Sequence, residues 1–161
     1  MKKFFLASFI YFFLPIISLA ENYKIREDLM TDEKEISFSI LSENTISNSI
    51  GVQEKAILSF RCKKEPQVIF ATRTYNADNI ELEIRWNKGF VYSYHWDPAS
   101  KSIAYFHRDP KRFIERTEAS DLVTIAWIPY KRRKIAARFD LNSQSWKKNI
   151  QRAKDDGCSL Y

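Results

Sequence analysis

Histidine, cysteine and glycine are scarce in this chain, with 2 His, 2 Cys and 3 Gly among 161 residues. Each shortage closes off a class of chemistry. His95 and His107, even with Asp97 and Asp109 close by, form no pair at a recognised metal-ligand spacing. They read as solvated or hydrogen-bonded side chains, and no metal or other cofactor is assigned. No serine stands in a Gly-x-Ser-x-Gly elbow. The carboxylates Glu81 and Glu83 alternate with apolar neighbours, as any solvated strand face does. With no acid, base and nucleophile set in view, the chain is not expected to be an enzyme. Internal repeats and low-complexity segments are lacking too.

Long apolar runs are also missing, save one. Phe4 to Ile17 follows Met1-Lys2-Lys3, contains Pro15 and ends in Ser18-Leu19-Ala20 before the polar Glu21. It falls short of the ~20 residues that span a bilayer. A basic start, a short apolar run and small residues at its end make residues 1–20 a signal peptide, with cleavage expected after Ala20. No cysteine follows directly to accept a lipid. The mature chain is therefore expected in the periplasm, with no stable membrane insertion after cleavage. The whole chain carries +6, and loss of Lys2 and Lys3 leaves 24 basic against 20 acidic residues, a net +4. That mild excess in an exported protein argues against nucleic acid and for an anionic surface, wall polymer or acidic protein as partner. Two cysteines in an oxidising compartment read as one disulfide, Cys62 to Cys158.

Residues 21–34 are polar without a sustained period and read as a flexible N-terminal arm. One β-rich domain is expected over 35–161. Alternation marks strands at Ile36-Phe38-Ile40, Ala56-Leu58-Phe60-Cys62, Val68-Phe70 and Ile80-Leu82-Ile84-Trp86, the last turning at Asn87–Gly89 into Phe90-Tyr92-Tyr94-Trp96. Ser42 to Gln53, rich in Ser and Asn, reads as a surface loop. A strand over Lys101 to Phe106 follows. Asp109-Pro110 predicts a helix start, and strands Leu122 to Ile128 and Ile135 to Phe139 flank a turn at Pro129–Arg133. A last helix, capped by Asn142 or Ser143, carries Trp146, Ile150 and Ala153 and stops at Gly157. The predicted fold is mainly β: an antiparallel β-sandwich or curled sheet with two short helices and one disulfide.

Two candidate binding surfaces stand out. Lys131, Arg132, Arg133 and Lys134 are the densest charge in the chain, suited to an acidic partner or anionic lipid, although hairpin tips are commonly charged simply because they are solvated. Tyr92, Tyr94 and Trp96, with Trp86 and Phe90, offer a stacking platform, although aromatics on a half-buried hairpin are more often core.

Taken in order, Ser42-Glu43-Asn44, Gly51, Phe60-Arg61-Cys62, Ile84-Arg85, Pro110 to Ile114, Asp121-Leu122, Ile128-Pro129-Tyr130, Ala137-Arg138-Phe139-Asp140-Leu141 and Gly157-Cys158 run along nearly the whole mature domain. This series resembles the TagO-like family, periplasmic proteins associated with type VI secretion. Asn87 in place of an acidic residue, and a glycine before rather than after the final cysteine, mark a divergent member. The resemblance implies a non-enzymatic accessory domain whose partner is an envelope protein such as a secretion-machine subunit. A periplasmic inhibitor or immunity protein, directed at a toxin or cell-wall hydrolase, is the alternative for a small stapled β domain.

Overall fold

A computed structural model describes residues 22–48, 50–72, 74, 76, 80–99 and 103–160; the signal peptide expected at 1–20 lies outside them. Alternate residues of β2 (Lys34–Leu41), β5 (Ile57–Cys62) and β6 (Pro66–Ala71) are buried, so each strand turns one face to the core. Register sets Ile40, Leu58 and Phe70 in one row and Phe38, Phe60 and Val68 in the next. These strands are the middle of a six-stranded sheet, ordered β1-β2-β5-β6-β10-β9, with β1 at Lys24–Glu27, β9 at Asp97–Pro98 and β10 at Ala104–Phe106. Facing it is a four-stranded sheet ordered β12-β11-β7-β8, from β7 (Glu81–Trp86), β8 (Val91–His95), β11 (Leu122–Trp127) and β12 (Ile135–Asp140). All pairings are antiparallel. Phe70 of the larger sheet meets Trp127 and Phe139 of the smaller edge-on, at 5.1 and 6.2 Å between ring centroids, so the two inner faces share one core.

The helices close that core. In α1 (Pro110–Glu118), Asp109 Oδ1 accepts from the Arg112 N–H at 3.1 Å, as the sequence predicts, and Phe113, Ile114 and Thr117 are buried. In α2 (Trp146–Asp155), the Trp146 indole stacks edge-on against Phe38 and donates to Thr117 Oγ1 at 3.1 Å, which docks one helix on the other. α2 starts later than its expected cap at Asn142 or Ser143. Asp140 Oδ1 accepts from both of those N–H groups and holds them in a turn instead. At the other end Gly157, with φ +96°, lets the Gly157 and Cys158 N–H groups bond back to Lys154 and Ala153. The chain thereby reverses and Cys158 reaches Cys62 on β5 in a buried disulfide, Cα atoms 6.1 Å apart.

Two further stretches depart from the sequence reading. The region read as an arm contains β1, which pairs with β2, and Tyr23, whose ring stacks on Phe38 and whose hydroxyl donates to Asp156 at 2.7 Å. Every β1 side chain is exposed, so burial leaves no period to read. The stretch read as a surface loop buries Ser42, Ile46 and Asn48 and forms a two-stranded ribbon, β3 (Ile46–Ser47) with β4 (Gln53–Glu54). Two-residue strands are too short to show alternation.

The disulfide joins residues 96 apart in sequence. Replacing both cysteines by serine should cost about 4 to 5 kcal/mol by loop-closure entropy. Urea unfolding of the two forms checks this.

Candidate functional site

The β7–β8 hairpin is built to present β8 at the edge of the smaller sheet. Leu82, Ile84 and Trp86 are buried, while Glu81 and Arg85 point to solvent. Asn87 sits at φ +50°, a conformation Asn tolerates, and its Oδ1 accepts from the Asp121 and Leu122 N–H groups, fastening the turn to β11. Asp121 is fixed in turn by Asn142 and Lys147, and those two donors hold its carboxyl below the usual range. Arg85 donates to the Lys88 and Gly89 carbonyls across the same turn.

Along β8 the expected aromatic row shares one face, yet its exposure rises steadily: Trp96 is 3% exposed, Tyr94 half-buried, Tyr92 41% and Phe90 83%. Trp96 is thus removed from the candidate binding surface. Its ring lies 4.7 Å from His107, 5.6 Å from Phe113 and 6.4 Å from Phe70, inside the core. Tyr92 and Tyr94 remain at the rim, beside α1. The Arg116 guanidinium sits 5.1 Å from the Tyr92 ring, and Arg112 lines a small cleft with Tyr94 and His107. Sequence reasoning passed over these two arginines. Their spacing of four on a helix whose Phe113 and Thr117 face inward was the available signal.

His107 is held among the rings of Tyr94, Trp96 and Phe113. Its Nδ1 accepts from the Asp109 N–H at 2.9 Å. Burial pushes its pKa down to about 4 against a smaller opposing pull from Asp109, so the ring is neutral at pH 7. His95 lies on the opposite face of β8, exposed. Among the described residues no three His, Cys, Asp or Glu side chains gather as a metal site.

Lys131 to Lys134 are all exposed, on the turn between β11 and β12. Lys134 pairs with Glu83 at 2.5 Å, Arg132 donates to the Ser47 carbonyl at 3.2 Å, and Lys131 lies 5.1 Å from the Tyr130 ring. β8 and β12 occupy opposite edges of the sheet, with β7 and β11 between them, so the basic turn and the aromatic edge belong to different strands, although Lys134 reaches across to Glu83 on β7. A groove of about 450 Å³ beside β2 and β5 is lined by paired groups, Lys64 with Glu33 at 2.8 Å and Lys63 with Glu35 at 3.9 Å. There the Lys64 ammonium holds Glu33 below its ordinary pKa and Glu33 holds Lys64 above its own, so both stay charged at neutral pH.

No protein family and no curated protein matches the sequence. Among solved structures, the chain is similar to an invasion associated protein B from Bartonella henselae at 8% identity and a TM-score of 0.49, covering 83% of this chain and 95% of that one.

The state of His107 gives a pH dependence. Unfolded, a histidine protonates near its ordinary pKa of 6.5; folded, His107 does so only near 4. Between those values the unfolded state binds more protons, so stability falls as pH drops from about 6.5 towards 4 and is unaffected by this group above that window. Thermal midpoints measured from pH 7 to 5 should fall in the wild type and fall less in His107→Phe, which keeps the ring packing.

Proposed function

We propose that this chain is an exported, non-enzymatic interaction domain of the periplasm, an accessory of an envelope-spanning secretion machine of the kind the TagO-like resemblance implies. One observation carries the interaction reading. Large apolar side chains exposed on the smaller sheet gather at two places, Phe90, Val91 and Tyr92 on the β7–β8 hairpin and Ile128 with Tyr130 beside Lys131 and Arg133 on the β11–β12 turn. Aromatic and cationic side chains in one exposed patch are the composition of protein-binding surfaces. The disulfide and the shared core fix both places on a stiff frame, which lowers the entropy lost on binding.

The reading is tested by crosslinking in the periplasm followed by mass spectrometry. Secretion-machine subunits should be recovered with the wild type and reduced about tenfold, a loss of roughly 1.4 kcal/mol, with the double variant Lys131→Glu and Arg133→Glu. The thermal midpoint of that variant should be unchanged, because both side chains are exposed. Recovery instead of a single toxin or wall hydrolase in equal amount, with its activity blocked, establishes the inhibitor reading. Cleavage of wall polymer by the purified domain overturns both.

A further inference from the structure

The four lateral edges of the two sheets are finished differently. β1 carries Lys24, Arg26 and Glu27, charges that discourage pairing with another strand. β9 is two residues long and includes Pro98. The edge of β12 is occupied. The Glu43 N–H donates to the Arg138 carbonyl at 2.7 Å, Asn44 Oδ1 accepts from the Arg138 N–H at 2.9 Å, and Asn44 Nδ2 donates to the Ala136 carbonyl at 2.8 Å. β8 has none of these protections. It is five residues long, without lysine or proline, and Val91 and Tyr92 are exposed by 56% and 41%.

Its backbone is also open. The Asn87 N–H bonds to the Leu122 carbonyl on β11, so odd-numbered residues of β7 address β11 and even-numbered ones address β8. Leu82 and Ile84 pair with Tyr94 and Tyr92, which therefore point their amides back at β7. Val91, Ser93 and His95 are left directing N–H and C=O groups outward, and among the described residues no backbone hydrogen bond reaches them from that side. On the inner side of this edge stand Arg116, over the Tyr92 ring, and Arg112, beside Tyr94, neither with an ion-pair partner among the described residues. These cations disfavour a second copy of the chain, whose own arginines they would face across a two-fold axis, and favour carboxylates.

We infer that the edge of β8 takes an extended acidic segment of a partner protein as an added strand. Three residues of the edge supply the ladder, while Arg112 and Arg116 select acidic side chains at alternate positions of the incoming strand. The inference rests on the interaction reading above and names the surface and the chemistry of what binds there.

The test is an NMR titration of the disulfide-bonded domain with a synthetic octapeptide of alternating glutamate and valine, against its lysine–valine counterpart. The acidic peptide should shift the amides of Val91, Ser93 and His95 and bind at least about tenfold more tightly than the basic one. Arg112→Glu with Arg116→Glu should erase that preference. Ser93→Pro removes an outward N–H without touching the β7 ladder and should abolish binding with the thermal midpoint retained. An acidic peptide N-methylated at alternate residues removes the same ladder from the other side, and should also fail to bind. Equal binding of the two peptides, undiminished binding by Ser93→Pro or by the methylated peptide, absence of amide shifts, or a wild-type dimer dispersed by Ser93→Pro each overturns the inference. Failure here with crosslinks retained through the basic turn overturns this inference alone; loss of secretion-machine crosslinks with peptide binding intact overturns only the reading above.

Discussion

The smaller sheet does not cover the whole inner face of the larger one, and the apolar side chains it leaves must be buried by something else. Here the helices do it. α2 lays Trp146 on Phe38 of β2, and α1 lays Phe113 against Trp86 and Trp96. Both helices are short and would be marginal alone, so their stability comes from this packing. Fixing them takes more than apolar contact. The Trp146 indole bonded to Thr117 joins the helices, and the disulfide pins the end of α2 to β5, next to the strand that α2 covers.

The same constraint shapes the surface. Because α1 fills the gap beside β7 with its inward residues, its arginines at 112 and 116 come to rest along β8. Elsewhere the fold seals its edges with side chains that imitate a strand. Asn44 does so for β12, and Gln144 both accepts from the Leu41 N–H and donates to the Leu41 carbonyl at the end of β2. Such mimicry satisfies backbone groups that would otherwise pair with another chain. Its absence at β8 is set against its presence at β12 in the same sheet.

Legibility followed burial. Strands with one face in the core announce a period of two, and Ile36-Phe38-Ile40, Leu58-Phe60-Cys62 and Leu82-Ile84-Trp86 are where the alternation places them. β1 shows nothing because none of its side chains is buried, and β3, β4 and β9 are too short to have a pattern. Trp96, left open between core and binding surface, belongs to the core for a different reason. Alternation correctly set it on the face of Tyr92 and Tyr94, but how far cover extends along that face depends on where α1 docks. The start of α2 was displaced by a local contest, since Asp140 takes the N–H groups that a helix cap at Asn142 or Ser143 would have left to the helix. The candidate cations at 131–134 were legible as a charged turn. Their division into tied and presented side chains depends on Glu83 and Ser47, far off in sequence.

Folding and recognition use different atoms of the same hairpin. Trp86 and Trp96 are committed to the core, and changing either would disturb the seat of Phe113 and with it α1. Val91, Ser93 and His95 contribute to the fold chiefly through their place in the chain, since their side chains are exposed and their amides face away from β7. Arg112 is exposed and Arg116 half-buried over the Tyr92 ring, on a helix whose burial is supplied chiefly by Phe113, Ile114 and Thr117. A surface of this kind can change its charge without loss of stability, because substitutions at exposed positions usually shift stability by no more than about 0.5 kcal/mol. The chemistry of the partner is therefore free to vary while the frame stays fixed.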